Sequence, residues 1–449
     1  MTLTELSYTL AAAVAEAGGR AYYVGGCVRD RLLGRENKDV DIEVHGLLPE
    51  KLEAILDTLG ERTVTGASFG VYGLKHWDID VAMPRKETAT GRGHKDFRTE
   101  VDPFLGCEKA AQRRDFTVNA LMEDVLTGEV LDFCGGREDL RNGVLRHVSA
   151  EHFGEDPLRV LRCAQFAARF GFTVAEETVA LCRGMDLSAL PKERIMGELE
   201  KAMLKADKPS VFFTTLRAMG QLSLWFPEPE ALIGVPQSAR FHPEGDVWNH
   251  TMAVLDQAAK LRGRAQDPRG FMLSALCHDF GKAITTDLTD EKHHAYNHET
   301  EGLPLVRRFM KRLTSDKELR EYVCNQSLNH MRPNRMADAD SKQKKWNHLF
   351  DESVCPEDLL LLARADYLGC GGTTKEEYLP KEQLARQALA EFRAMMAEPH
   401  VMGRDLQEAG IRPGKQYKEL LAYAHKLRLA GLDKDRALKS VLAMAEKKK

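Results

Sequence analysis

The sequence predicts an α+β protein, with a mixed strand-and-helix head at the N-terminal side and an otherwise helical chain. Three observations lead there. Strand-like runs of alternating polarity, "KDVDIEVHG" (38–46) and "HWDIDVAMP" (76–84), fall within the first 150 residues. Beyond about residue 151 strand signals mostly vanish, and apolar residues recur at helical spacing between caps and glycines. The chain has 449 residues, more than one core usually serves, which predicts several domains.

The elements follow in order. "MTLTELSYTLAAAVAEAGG" reads as an amphipathic helix ended by Gly18-Gly19. Glu5, Glu16 and the lack of a basic leader argue against a signal peptide. "AYYVGG" is a strand running into a glycine turn, and "PEKLEAILDTLGE" is a helix between the two alternating strands. Residues 85–112 are polar, charged and glycine-containing, and read as a long mobile loop. "DPLRVLRCAQFAARFGF" is a helix with Asp156 at the N-cap, Pro157 at the first turn and Gly171 at the end. "SALPKERIMGELEKAMLKA" repeats the pattern, and the prolines of 226–245 mark a junction. Helices resume at "NHTMAVLDQAAKLRG", "FMLSALCHDFGKAI" and "TEGLPLVRRFMKRL"; residues 372–382 read as a second break, and "AMAEKKK" as a solvated tail. The expected domains are 1–150, 151–235, 236–371 and 372–449.

Composition excludes some classes. The net charge of -4 does not announce a nucleic-acid partner, so any such surface is a local patch. Nine scattered cysteines with no C-x-x-C argue against a disulfide framework and for a reducing, cytoplasmic setting. No apolar run is long enough to span a bilayer, so no membrane partner is expected.

Chemistry concentrates first in "VGGCVRDRLLGRENKDVDIE" (24–43). Asp39 and Asp41 lie two apart on a strand, so both carboxylates face one way. Two like charges that close repel unless a divalent cation sits between them. Gly25-Gly26 would let backbone N–H groups approach phosphate oxygens, and Arg29 would add a planar cationic fork. Each feature alone has a plainer reading: a common D-x-D, an ordinary turn, a surface Arg29–Asp30 ion pair.

The combination G-G-x-V-R-D, L-L-G and D-x-D resembles the head of the class II nucleotidyltransferases, which have the polymerase-β-like fold and include tRNA CCA-adding enzymes and bacterial poly(A) polymerases. The resemblance continues through "RRDFTVNAL" (113–121), "LDFCGGREDLRNGVLRHV" (131–148), "EDPLRVLR" (155–162) and "PKERIMGEL" (191–199). It implies a polymerase-β-like nucleotidyltransferase head followed by an all-α neck. Asp39 and Asp41 would hold Mg²⁺ and set the 3′-hydroxyl of an RNA primer against the α-phosphate. Gly26, Arg29 and Arg114 would hold the nucleotide. Asp156 and Arg159 would read the Watson–Crick edge of CTP or ATP, with Arg162 near the same helix face. Plainer readings stand beside these: Asp156 as a helix cap, Arg162 as an ion-pair partner on a solvated face. Gln165 stands where the family commonly has Arg, and that Arg's role is not carried over. In the family a flexible segment helps switch from C to A. The charged stretch with Arg85, Lys86, Arg92, Lys95 and Arg98 therefore favours an enzyme that adds the terminal A. Asp78 and Asp80 form another D-x-D, either a third carboxylate of the site or structural.

A second constellation follows the neck. His250 lies in "HPEGDVWNHTMAVL", His278-Asp279 in "ALCHDFGK" and Asp366 in "LLARADYLG"; the adjacent His278-Asp279 falls inside an apolar helix, where burying both unpartnered is costly and a divalent metal would resolve the cost. The spread H…HD…D with Gly281-Lys282 resembles the HD phosphohydrolases. It implies a divalent transition metal or Mg²⁺ on those four residues. His293, His294, His298 and His330 are candidates to extend the site, though each alone reads more readily as a surface histidine. One branch of CCA-adding enzymes carries such an HD domain after the neck. "VMGRDLQEAGIRPGKQYKELLAYAHKLRLAGLDKDRAL" (401–438) resembles their helical tail, whose Lys and Arg would meet a tRNA backbone. The expectation is CCA addition or repair on tRNA from CTP and ATP, with HD phosphohydrolase activity as a possible second function. A poly(A) polymerase and an HD phosphohydrolase with a non-catalytic RNA-binding head are the alternatives.

Overall fold

A computed structural model of the chain describes residues 1–35, 39–64, 70–89, 97–289 and 292–446. The chain divides into two units, one of Met1–Ala202 with Val211–Leu224, the other of Met203–Ser210 with Trp225–Lys449.

The first unit starts with α1 (Leu3–Glu16), which a Thr2–Glu5 capping box opens. Gly18 follows it with a φ of 89°, a backbone turn that glycine takes without steric cost. The sheet strands are β1 (Arg20–Val24), β2 (Val40–His45), β3 (Arg62–Val64), β4 (Val71–Leu74) and β5 (Ile79–Ala82). After β6 (Arg85–Ala89) and β7 (Phe97–Val101) come β8 (Met122–Asp124) and β9 (Val130–Leu131). Seven of them form one sheet in the order β3-β4-β5-β2-β1-β8-β9, while β6 and β7 pair separately. Only β2 and β5 run parallel in that sheet, so it is mixed, as the alternating runs predict.

Helices α2 (Gly26–Leu32) and α3 (Pro49–Leu59) fill the β1–β2 and β2–β3 connections. Leu6, Leu10, Val14, Val28, Leu52 and Leu56 from the three helices are buried with Ile42, Val44 and Val81 of the sheet. At about 25 cal/mol per Å² of apolar surface, such burial is what offsets the entropy of ordering the chain.

Residues 85–112 differ from the expected loop. Strands β6 and β7 form an antiparallel hairpin from Arg85↔Val101 to Ala89↔Phe97, and α4 (Cys107–Gln112) follows. Lys86 pairs with Asp102 at the hairpin base. Polarity concealed the strands because neither belongs to the central sheet, so no apolar alternation is required of them. Arg92 and Lys95 lie outside the described residues.

The helix Leu158–Phe170 ends at Gly171 in the left-handed region, as its sequence predicts. Pro157 takes the N-cap position, and the Asp156 Oδ1 accepts from the Leu158 N–H at 3.0 Å.

The second unit is helical among the described residues. Helices Val247–Leu261 and Pro356–Gly369 approach closely: a Cβ on Gly369 would stand 2.4 Å from Val254 Cγ2. Helices Pro268–Cys277 and Lys317–Asn329 complete the core around the histidines. Trp346, Leu349 and Phe350 pack with Leu359, Ala385 and Leu389, and a separate tail core holds Leu406, Leu420, Ala424 and Val441. The expected break at 372–382 is shorter. A Thr374–Glu377 capping box starts a helix that runs to Ala397 through Pro380.

Gly281 faces the carbonyl of His298, and a Cβ there would lie 1.9 Å from that oxygen. A backbone oxygen cannot swing away as a side chain does. Gly281→Ala is therefore expected to cost about 3 kcal/mol or more. A urea midpoint equal to that of the unsubstituted chain, at equal m, would contradict it.

Candidate active site and candidate metal centre

Strand alternation sets the head site. Asp39 precedes β2, Asp41 and Glu43 lie on it, and all three side chains share a face at period 2. Asp80 of β5 is the parallel register partner of Asp41. Burial pushes the Asp41 carboxyl above its ordinary value; Arg114 opposes that, while Asp80 and Asp39 add to it. The site thus gathers carboxylates whose joint ionisation is unfavourable without a cation, which is the donor chemistry Mg²⁺ takes.

Glu43, absent from the sequence reading, is nearly buried and orders the site. Its Oε2 accepts from Arg114 Nη2 at 2.8 Å, and its Oε1 lies 2.9 Å from His45 Nε2. Burial alone would raise its pKa, yet Arg114 and His45 hold it lowered. Period 2 from Asp41 is the signal that points to it. Gly25 adopts φ 66° and ψ −128°, a conformation open to glycine, and a Cβ there would stand 3.6 Å from Arg114 Nη1 and 3.9 Å from Asp41 Oδ2. The bare turn into Gly26, the first residue of α2, therefore lies beside both the carboxylate and the guanidinium. A cavity of about 200 Å³ is lined by Glu43, Arg85, Arg113, Arg114 and Arg159 among others. It is cationic, as a triphosphate requires.

Arg29 is not placed as expected. It is 3% exposed, its Nε donates to Asp30 Oδ1 at 2.8 Å and its Nη1 to Asn119 Oδ1 at 2.6 Å. Its guanidinium also lies 4.3 Å from the Phe170 ring centroid. With those partners and that burial it fastens α2 to the helix Leu158–Phe170, instead of offering a fork to phosphate.

Arg162 is also corrected. Its Nε and Nη2 donate to Asp115 Oδ2 at 2.8 and 2.6 Å, which favours the ion-pair reading, except that the partner is buried and not on a solvated face. Asp115 Oδ1 accepts from Asn119 Nδ2 at 2.9 Å and from the Phe116 N–H at 2.8 Å. Burial opposes its ionisation, but Arg162, Asn119 and that N–H together hold its pKa below the ordinary carboxylate value. Sequence reasoning carried Arg114 from "RRDFTVNAL" and missed its neighbour Asp115.

Asp156 and Arg159 sit at the start of the same helix. Asp156 Oδ2 pairs with Arg194 Nη2 at 2.8 Å. Arg159 Nη2 donates to the Arg113 carbonyl at 3.2 Å, and its Nη1 donates to the His152 carbonyl. Arg159 reaches the cavity wall; Asp156 is not part of its lining. Gln165, in place of the family Arg, is 1% exposed, and its Nε2 has no hydrogen-bond partner.

In the second unit the predicted ligands converge. His250 comes from Val247–Leu261, His278-Asp279 from the end of Pro268–Cys277, and Asp366 from Pro356–Gly369. His250 Nε2 lies 3.1 Å from Asp366 Oδ1 and 3.6 Å from Asp279 Oδ2; His278 Nε2 lies 3.2 Å from Asp279 Oδ2. His298 and His330, expected as surface residues, are instead buried, with Nε2 atoms 3.2 and 3.6 Å from Asp279 Oδ1. His293 and His294 line the adjoining cavity of about 750 Å³ with Arg240, Lys282 and Arg335.

Glu244, missed in the sequence, accepts from His250 Nδ1 at 2.8 Å and from the Gly371 N–H at 2.8 Å. His278 Nδ1 donates to the Ala275 carbonyl at 2.8 Å. Those partners leave each Nε2 lone pair turned toward Asp279, the usual support for a metal-bound imidazole. Both oxygens of the buried Asp279 lack a hydrogen bond, although Lys282 Nζ stands 2.7 Å from Oδ2. Burial disfavours the Asp279 anion, yet His278 and Lys282 leave its pKa well below the carboxylate range. Nitrogen and oxygen donors around a charged, unbonded carboxylate fit a divalent ion.

Three family models match the chain. The family described as Poly A polymerase head domain matches residues 21–146, "Probable RNA and SrmB- binding site of polymerase A" matches 171–233, and HD domain matches 247–369. A multifunctional CCA protein of Alkalilimnicola ehrlichii is 38% identical over 93% of this chain and 98% of its own length. The Bacillus stearothermophilus CCA-adding enzyme solved with CTP superposes with a TM-score of 0.68 at 21% identity, over 100% of this chain and 99% of that one. The Thermotoga maritima CCA-adding enzyme complexed with tRNA(CCA) gives 0.61 at 21% identity, over 99% and 94%. At that identity the two structures show a shared fold. No helix among the described residues is long and apolar enough to cross a membrane.

The Asp115 pair sets a pH dependence. A carboxyl whose folded pKa lies below its unfolded value of about 3.9 contributes stability above that value and loses it as pH falls through the folded pKa. Asp115→Asn is expected to destabilise the chain at pH 7 by about 3 kcal/mol, with the gap closing toward pH 2. Urea unfolding of both proteins across that range checks it; a gap independent of pH would mean the charge contributes nothing.

Proposed function

Because the chain belongs to the family of multifunctional CCA proteins, we propose that it adds or repairs the 3′-terminal CCA of tRNA, by template-independent nucleotidyl transfer from CTP and ATP. The observation that carries this reading is the arrangement of Asp41, Glu43 and Arg114 beside the Gly25-Gly26 turn. Asp39 and Asp41 would hold Mg²⁺, and Asp80 is placed to join them. That ion would acidify the RNA 3′-hydroxyl and offset triphosphate charge. Arg114, held by Glu43, presents a guanidinium to the phosphates, and the side-chain-free turn at Gly25-Gly26 leaves room for their oxygens. The attacking 3′-oxygen bonds to the α-phosphorus as pyrophosphate leaves.

Asp156 and Arg159 supply base selection. A carboxylate accepts from the exocyclic amine that C and A carry; U and G present a carbonyl at the equivalent place. Asp156 would exchange its Arg194 partner for that amine. Arg159, at the cavity wall, would donate to a ring nitrogen or carbonyl. Arg29 and Arg162 serve as positioning residues: they fix the helices that carry Gly26 and Arg159.

The second unit supports a metal-dependent phosphohydrolase, with His250, His278, Asp279 and Asp366 as ligands for a divalent ion. When bound, that ion would polarise a phosphate ester and acidify water. Lys282 and Arg240 line the adjoining cavity and suit a phosphate. The domains are proposed as head 1–150, neck 151–235, HD domain 236–371 and tRNA-contacting tail 372–449. Nine free cysteines support a reducing, cytoplasmic setting.

Incubating the protein with tRNA lacking CCA, and CTP and ATP singly and together, is expected to give C, C and A additions and then stop. Long A tails would overturn the reading in favour of a poly(A) polymerase, and two C additions alone would restrict it to a CC-adding enzyme. Asp41→Ala is expected to reduce addition by at least about three orders of magnitude, on the scale of removing an essential catalytic group. It should leave metal-dependent hydrolysis of bis(4-nitrophenyl) phosphate in place; loss of both activities would contradict two separate sites.

A further inference from the structure

We infer that the cavity beside His298 holds a nucleobase against Tyr296 and Phe241, so that its ligand is a nucleotide and not a bare phosphate ester. This rests on the reading of the second unit as a phosphohydrolase, and it concerns the end of the ligand away from the reacting phosphate. The starting observation is where the exposed aromatic rings stand. Tyr296 is 73% exposed, the most of any large hydrophobic side chain among the described residues, and Phe241 is 63% exposed. Both line the same cavity of about 750 Å³, a volume ordinary for a small-molecule site. A single exposed apolar residue needs no cause. Two rings from separate segments that line one cavity do need one.

Each ring comes with a planar partner. The His294 imidazole stacks with the Tyr296 ring, their centroids 5.1 Å apart and their planes 27° apart. The Arg240 guanidinium lies 5.3 Å from the Phe241 centroid. A ring that stays so exposed beside such a partner keeps π surface for another flat group. Unpaired bases are held in this way, on aromatic rings and guanidinium planes.

The backbone braces the aromatic segment. His293 and Asn297 bracket it with φ of 49° and 57°, in the left-handed region that residues other than glycine seldom adopt. Such a conformation costs energy and persists where its surroundings impose it. Here the Asp287 N–H donates to the His294 carbonyl at 2.9 Å, and Ala295 forms an antiparallel bridge with Thr286. The braced turn runs directly into the short helix that starts at His298. The charges of the cavity complete the match. Lys282, Arg240 and Arg335 line it, and the Lys282 ammonium stands 2.7 Å from Asp279 Oδ2, which sets the phosphate end. Cations and open π faces on one cavity fit a ligand that joins a phosphate to a flat ring. A lipid would want a continuous apolar lining, which these cations interrupt.

The test uses the full chain in Mn²⁺ with bis(4-nitrophenyl) phosphate as substrate, and compares inhibition by AMP and by ribose 5-phosphate, which lacks the adenine. Competition against hydrolysis reads this cavity and not the head. AMP is expected to inhibit about tenfold more tightly or better, the scale of one base–aromatic stack. Tyr296→Phe should keep that ratio. Tyr296→Leu, apolar but without a π face, should bring it toward one while the ribose 5-phosphate constant stays in place. The dinucleotide pApA separates two sources of the same chemistry: tighter inhibition than AMP supports an RNA end, and equal inhibition supports a free nucleotide. A ratio near one in the parent would overturn the base site while leaving the phosphohydrolase standing. A ratio that survives Tyr296→Leu combined with Phe241→Leu would place the base elsewhere and overturn the assignment. No hydrolysis by the parent would overturn the phosphohydrolase reading and this inference with it. The parent's ratio does not depend on any variant folding.

Discussion

One buried carboxylate organises the nucleotidyl-transfer unit. Asp115 sits where an ion is costly, and it is tolerable because Arg162, Asn119 and the Phe116 N–H each give it a partner. Those partners come from different parts of the chain. Arg162 belongs to the helix whose first turn carries Arg159. Asn119 in turn accepts from Arg29, and Arg29 lies on the helix that begins at Gly26. The glycine turn and the helix that carries Arg159 are therefore tied to one charge. Phe166 and Phe170 complete the tie by receiving the Arg29 guanidinium on their rings, at 5.2 and 4.3 Å. Arg29 and Arg162, expected at the nucleotide, instead bind interior partners.

The working face of the head follows a different rule. Pleat alternation brings Asp39, Asp41 and Glu43 to one side of β2, and the parallel register adds Asp80 from β5. Arg114 answers part of that negative charge through Glu43 and opposes the rise in the Asp41 pKa. The balance is incomplete, so negative charge remains on that face. The HD unit applies similar economy at Asp279, where four imidazoles face one carboxylate and a lysine takes a single side.

Much of this was legible from local pattern. β2, β5 and α3 follow from periodicity, β1 from an apolar run that ends in glycines, and the helix Leu158–Phe170 from its proline and glycine ends. His278-Asp279 stood out because a polar pair in an apolar helix needs a reason, and His250 and Asp366 through the resemblance of the H…HD…D spread. The β6–β7 hairpin was not legible, since strands outside the main sheet carry no alternating apolar face. His298 and His330 looked like surface residues because nothing in their neighbours reveals burial, which comes from the helices that pack over them. Glu43 was available to the same period-2 argument as Asp41. Glu244 had no such signal; its two oxygens are taken by His250 Nδ1 and the Gly371 N–H, partners that only the fold brings to it.

The sequence by itself showed a strand-bearing head ahead of a helical remainder, and two groups of carboxylate and histidine residues of a type that suits metal. Residue type and short-range spacing carry that information, and both are properties of the chain. Only the tertiary structure decided which arginines face the cavity and which lock the interior, because a guanidinium pairs with whatever carboxylate folding brings to it. It also decided that Asp279 has two faces, each with its own histidine pair. Partners from four helical segments meet there, and no spacing along the chain encodes a distance between them.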